Sequence, residues 1–205
     1  MTYNNEPHLA GTPDRVKDLG QARNGQVTGT EANGGSARAD GGEVINIQET
    51  GFPGKDMFAA DVLELDDKWY PVGTAGHTRP LLFDLSHGSW ISLFKGKGSG
   101  TIQRHRHSAP VTGWTFEGAW GYRERDWVAT AGSFVYEAAG DIHTLYIDPV
   151  VGHMTALFHV FGPLIYLDDA GNAVDYEDVF VRLDKYQKHC RAVGLGDDWV
   201  KSLIR

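Results

Sequence analysis

The sequence predicts an all-β fold, a barrel or sandwich of short antiparallel strands with a helical segment at its C-terminal end. Three observations carry this. Short apolar runs recur from Val44 onward, each closed by glycine, proline or aspartate, the pattern of many-stranded antiparallel folds. Aromatic residues are dense, with six tryptophans, and aromatic side chains favour strands. Near residue 176 the apolar spacing lengthens to a helical period.

The elements follow in order. Met1 to about Glu43 is rich in Gly, Asn, Thr, Asp and Ala, and 33–42 holds almost no large apolar side chain. Such a segment buries too little surface to offset its ordering entropy. It reads as a flexible arm over residues 1–43, with docking on a neighbouring subunit left open. Residues 44–175 read as the barrel. Its candidate strands are Val44–Ile47, Phe58–Leu65, Trp69–Pro71, Leu81–Leu85, Trp90–Lys95, Gly100–His105, Val111–Phe116, Trp120–Trp127, Ser133–Tyr136, Thr144–Ile147, Met154–Phe161 and Ile165–Leu167. Residues 176–205 read as helical. Val179, Phe180, Leu183, Tyr186 and Cys190 share a helical stripe over Tyr176–Ala192, with Gly194 as a stop. Asp197 is placed to cap a short last helix, Asp198 to Ile204. Both helices are expected to pack outside the barrel.

Composition narrows the function. Nineteen Lys and Arg face 27 Asp and Glu, a net charge of −8. There is no basic stripe, so nucleic acid is not an expected partner, and an acidic surface repels anionic membranes. No apolar run approaches the roughly 20 residues of a membrane span. The N-terminal residues lack the charged and apolar regions of a signal peptide. Cys190 is the single cysteine, which excludes an internal disulfide. A cytoplasmic protein is the expectation.

One constellation implies chemistry. His105 and His107 stand two apart in a strand-like run, so both imidazoles can point to one face. His143 follows a strand, a glycine turn at Gly140 and the start of a new strand. Rigid strands that converge neutral nitrogens suit a divalent metal. Three neutral histidines leave open positions, which suits iron that must meet both a substrate and dioxygen.

Gly100, His105 and His107, then Gly132, Ala138, Gly140 and His143, resemble the two motifs of the cupin superfamily, which implies a jelly-roll barrel. Three positions depart from that pattern. The usual carboxylate four or five residues past the histidine pair is absent, with Val111 or Thr112 in its place. Ala138 replaces a proline and Ile147 an asparagine. Over roughly Trp69 to Arg205 the segments Arg104–His107, Gly118–Trp127, Tyr176–Phe180 and Ala192–Gly196 are similar to 2,4′-dihydroxyacetophenone dioxygenase and its cupin relatives. The resemblance implies a non-haem Fe(II) enzyme of aromatic degradation. Such an enzyme cleaves a carbon–carbon bond beside a ketone and places both atoms of dioxygen in two carboxylic acids. Its substrate is an α-hydroxyketone such as a hydroxyacetophenone, or a related diketone.

Strand parity then nominates the surroundings of the metal. Trp120, Tyr122 and Glu124 share a face. If the aromatics face inward, Glu124 is a fourth ligand or the base that deprotonates the substrate; the plain alternative is a glutamate paired with an arginine at the strand end. Thr112, Trp114 and Phe116 have the parity of the missing carboxylate and would line a pocket for a flat substrate, or simply fill the barrel. Gln103 shares the parity of His105 and would contact the substrate or a ligand. A non-catalytic zinc- or ligand-binding sensor, and an isomerase or lyase using Mn, Ni or Zn, are the competing readings. Barrel edges often pair between subunits, so a homodimer or homotetramer is expected.

Overall fold

A computed structural model describes residues 56–205. The arm and the candidate strand Val44–Ile47 lie outside the described residues. The elements run β1 (Tyr70–Val72), β2 (Gly76–Asp84), β3 (Ser89–Lys97), β4 (Thr101–His107), β5 (Val111–Tyr122), β6 (Val128–Thr130), β7 (Phe134–Glu137), β8 (Ile142–Ile147), β9 (His153–Val160), β10 (Leu164–Leu167), β11 (Ala173–Glu177), α1 (Val179–Ala192) and α2 (Gly196–Ser202). All strand pairs are antiparallel, in the order β1-β2-β3-β9-β5-β8-β4-β10-β11, with β6 and β7 also on β5. The predicted all-β jelly-roll with C-terminal helices is the observed architecture.

The curl of the sheet is concentrated in β5. Its first part pairs with β9 and β7, and its last residues pair with β6 and β8. Between them the register shifts at Thr115/Glu117, and Gly118 takes a φ of 72°. A Cβ on Gly118 would lie 2.0 Å from the His153 carbonyl oxygen. A bulge and a glycine at positive φ are the ordinary means of bending a strand. The candidates Val111–Phe116 and Trp120–Trp127 are thus largely one bent strand, and Trp127 lies past its end.

Other boundaries move for local reasons. Phe58–Leu65 forms turns and no strand; Trp69 Nε1 holds it by donating to the Glu64 carbonyl oxygen at 2.6 Å. The helix expected from Tyr176 starts at Val179, because Ala173–Glu177 pairs with β10. Asp178 caps it, accepting from Val181 N at 2.8 Å. The last helix begins at Gly196 rather than Asp198, with Asp197 inside its first turn. Beyond it Ile204 bridges to Phe83, and Arg205 N donates to Phe83 O at 2.9 Å.

Two apolar clusters hold these layers. One joins both helices to the sheet through Phe83, Trp90, Val179, Tyr186, Cys190, Val200 and Leu203. The other fills the barrel with Trp120, Tyr122, Leu145, Ile147, Met154 and Ala156. Trp90 and Trp120 are wholly buried. Cys190 is buried and burial pushes its thiol up, consistent with a packing role.

Candidate metal centre

The three histidines meet inside the barrel. His105 and His107 come from β4 and His143 from β8, where it is the direct cross-strand partner of His105. One nitrogen from each lies within 4.8 Å of the others. Their ring centroids are 4.7, 4.8 and 5.1 Å apart. All three are buried. Burial first, and then the two neighbouring imidazoles, push His105 down to about 3, so its ring is neutral and carries a lone pair.

Hydrogen bonds aim those lone pairs. His105 Nδ1 lies 2.7 Å from the Gln103 carbonyl oxygen. A carbonyl only accepts, so Nδ1 carries the proton and Nε2 keeps its lone pair. His143 Nδ1 lies 3.3 Å from Asp141 Oδ2, and Asp141 is clamped by Arg125 Nη2 at 2.5 and 2.6 Å. That again leaves Nε2 free. Such outer partners are what fix metal-binding imidazoles.

A carboxylate joins them from β7. Glu137 is 4% exposed. Its Oε2 lies 3.1 Å from His107 Nε2 and 3.5 Å from His143 Nε2. Yet Glu137 Oε2 and His143 Nε2 are both buried without a hydrogen-bond partner. Meanwhile His105 Nε2 approaches His107 Nε2 to 3.1 Å. Electron-rich nitrogen and oxygen atoms crowded together and unsatisfied have a cost that a cation would remove. The residues therefore fit a divalent metal held by His105, His107 and His143, with Glu137 in reach. Tyr122 OH donates to Glu137 Oε1, and the Tyr122 ring stacks on His143 at 3.8 Å and 7°. Burial works to push the Glu137 carboxyl up, but the His107 imidazole and the Tyr122 hydroxyl hold it below the ordinary glutamate value. Burial and Glu137 together drive the Tyr122 hydroxyl far above the ordinary tyrosine value.

Several nominated residues do not reach this centre. Glu124 is exposed, and its carboxylate accepts from Thr144 N at 2.8 Å and Thr144 Oγ1 at 3.0 Å. The reason is that β5 ends at Tyr122, so the alternation that placed Glu124 inward stops before it. Thr112, Trp114 and Phe116 point away from the cavity, since Val111, Gly113 and Thr115 are the buried set. Trp114 and Phe116 are 44% and 43% exposed, and Trp114 packs on exposed Phe134 outside. Gln103 is exposed and donates to Leu167 O at 3.1 Å, because the register shifts between Ile102 and His105. Only its backbone serves the site. Tyr122 does line the cavity, together with His105, His107, Glu137, Val111, Phe158 and Leu164.

Glu137 flanks the second histidine motif, and the sequence alone does not orient it or Tyr136; on β7 Tyr136 is exposed while Glu137 is buried. The pairing explains its place. Its direct cross-strand partner is Val111, four residues past His107, where cupins commonly carry their carboxylate. The acid is supplied from the neighbouring strand.

Residues 60–164 match the ChrR cupin-like domain family, a little over half of the 205 residues. The chain belongs to that family, a branch of the cupins. Among solved structures, an RmlC-like cupin protein from Ralstonia eutropha is 34% identical, with a TM-score of 0.58 over 60% of this chain and 82% of its own. A second Ralstonia eutropha protein with a cupin-like fold is 23% identical, with a TM-score of 0.56 over 58% and 75%. An acetylacetone dioxygenase from Acinetobacter johnsonii is 18% identical, with a TM-score of 0.56 over 67% and 98%; at that identity the likeness is one of fold. No curated protein matches the chain. Among the described residues no helix is long and apolar enough to cross a membrane.

Proposed function

We propose that this protein is an Fe(II)-dependent dioxygenase that cleaves the carbon–carbon bond beside a ketone in a small α-hydroxyketone or diketone. The observation that carries the reading is the convergence of three buried imidazoles on the Oε2 of Glu137, which has no hydrogen-bond partner, beside an apolar cavity. Fe(II), when bound, supplies a Lewis acid for the substrate oxygens and an electron source for dioxygen.

The chain's own groups do the rest. Glu137 Oε2 takes the proton from the carbon next to the carbonyl. Its position is set by Tyr122, whose hydroxyl occupies Oε1 and leaves Oε2 toward the imidazoles. A positioned base of this kind contributes about 10²–10⁴-fold in rate. Val111, Phe158 and Leu164 exclude water from the reacting carbon. Trp114 and Phe116 face outward, and the aromatic lining of the cavity comes instead from Trp90, Phe94, Tyr122, Phe158 and Tyr166.

A second reading, a zinc-holding sensor module, is favoured by the same Glu137, which with three histidines makes the four donors of a closed zinc site. One experiment separates the two. Protein is reconstituted anaerobically with Fe(II), and oxygen uptake is measured with a panel of α-hydroxyketones and β-diketones. The dioxygenase reading expects metal-dependent uptake matched by acid formation. Tightly retained zinc with no uptake on any member overturns it in favour of the sensor.

A further inference from the structure

The reaction described above uses one part of the cavity. The same cavity is also lined by Arg182, which α1 sends inward from its first turns. This guanidinium is only 9% exposed, and its carbon lies 5.1 Å from the Trp90 ring centroid, a cation–π contact. A buried guanidinium has five N–H groups to satisfy. Arg182 Nη2 donates to Glu177 Oε2 at 2.7 Å, while the buried Nε has no hydrogen-bond partner.

Glu177 is not its alone. Lys185 Nζ donates to Glu177 Oε1 at 3.0 Å, and Tyr166 OH donates to Oε2 at 3.4 Å. Lys185 reaches Glu177 from the solvent side, its side chain 47% exposed, so the buried pair is Arg182 with Glu177. Glu137, also lining the cavity, is engaged by Tyr122 and the imidazoles. What the buried guanidinium lacks is an acceptor for its Nε, and an unsatisfied donor in an apolar interior favours a ligand oxygen there. Tyr166 joins the two parts: its ring is 6.0 Å from His105, and its hydroxyl is on Glu177. Apolar Val111, Val160 and Leu164 complete the wall. A ligand matching this cavity is polar at both ends and apolar between.

The geometry points to Arg182 as a specificity-determining anchor for a carboxylate on the substrate, at the end remote from the oxygens that face the three histidines. The ligand class is a short ketone acid, a diketone or hydroxyketone bearing a carboxylate a few carbons away. This rests on the proposed function for which end reacts, and not for whether an anion binds.

The test uses succinylacetone, a diketone with a terminal carboxylate, and its methyl ester, which differs in charge. Both are titrated by calorimetry into full-length protein, metal-free and anaerobically loaded with Fe(II), and oxygen uptake is followed in parallel. Charge-assisted pairing to a buried arginine predicts that the acid binds about tenfold tighter than the ester or better, in both protein forms. Arg182→Gln should erase that preference, and Arg182→Lys should restore part of it. Equal binding of acid and ester to the wild-type protein overturns the anchor, as does an unchanged preference in a folded Arg182→Gln. If the variants fail to fold, the wild-type comparison alone decides. Preferred binding of the acid without oxygen uptake keeps the anchor and removes the dioxygenase reading; equal uptake with equal binding does the reverse.

Discussion

The two halves of β5 obey opposite rules. In its last residues Trp120 and Tyr122 turn inward and fill the barrel. In its first part the aromatics Trp114 and Phe116 turn outward, joined there by Phe134 and Tyr136 of the paired β7. The inward face of that pair instead carries Val111, Gly113, Thr115 and the acid Glu137. Polar groups inside and aromatics outside are costly for a fold. The difference marks the part of the interior where the candidate metal centre lies.

That contrast can be broken or sharpened experimentally. The largest effect should come from the histidines. His143→Ala or His105→Ala removes a nitrogen from the convergent set, and metal content after dialysis should fall to near background while the melting curve stays cooperative. Next is the carboxylate comparison. Glu137→Gln should keep metal yet lose about 10²-fold or more in turnover, whereas Glu124→Gln should stay within a few-fold of wild type.

The two tryptophans of β5 test packing directly. Trp120 is fully buried, so Trp120→Ala should cost about 3–5 kcal/mol in denaturant unfolding. Trp114→Ala, at 44% exposure, should cost well under that, on the order of 1 kcal/mol or less. Equal losses would mean that the outer aromatic face is packed against something in solution.

The smallest effect is on acid stability. Burial pushes the Glu177 carboxyl up, but Arg182 and Lys185 outweigh it and hold it below the ordinary glutamate value. Tyr166 and Tyr70 complete its surroundings. A depressed folded-state value adds stability above the unfolded value of about 4.3, and that stability is lost as pH falls through the folded value. Lys185→Gln weakens the depression, so its acid-unfolding midpoint should move slightly upward. An unchanged midpoint means that Arg182 alone sets the charge of Glu177.

Much of this is legible in the sequence alone. The strand periodicity and turn residues set the all-β class, and the spacing of His105, His107 and His143 placed three imidazoles within reach of one ion. What escaped was anything that depends on a break in alternation. The register shift before His105 turned Gln103 out, the bulge before Glu117 inverted parity along β5, and the end of β5 at Tyr122 left Glu124 in a turn. A single-residue slip exchanges the two faces of a strand, and no local pattern announces where it falls. Glu137 and Arg182 were missed for a related reason: cross-strand pairing and helix docking bring them to the cavity, and neither is encoded in spacing.

The central claim is that the three histidines and Glu137 form one reacting centre. The most direct measurement is the oxygen uptake of Fe(II)-loaded wild type, Glu137→Gln and Glu124→Gln on one responsive ketone, at equal metal content. The account predicts uptake by wild type and Glu124→Gln, and a loss of about 10²-fold or more in Glu137→Gln. Wild-type uptake by Glu137→Gln would contradict it.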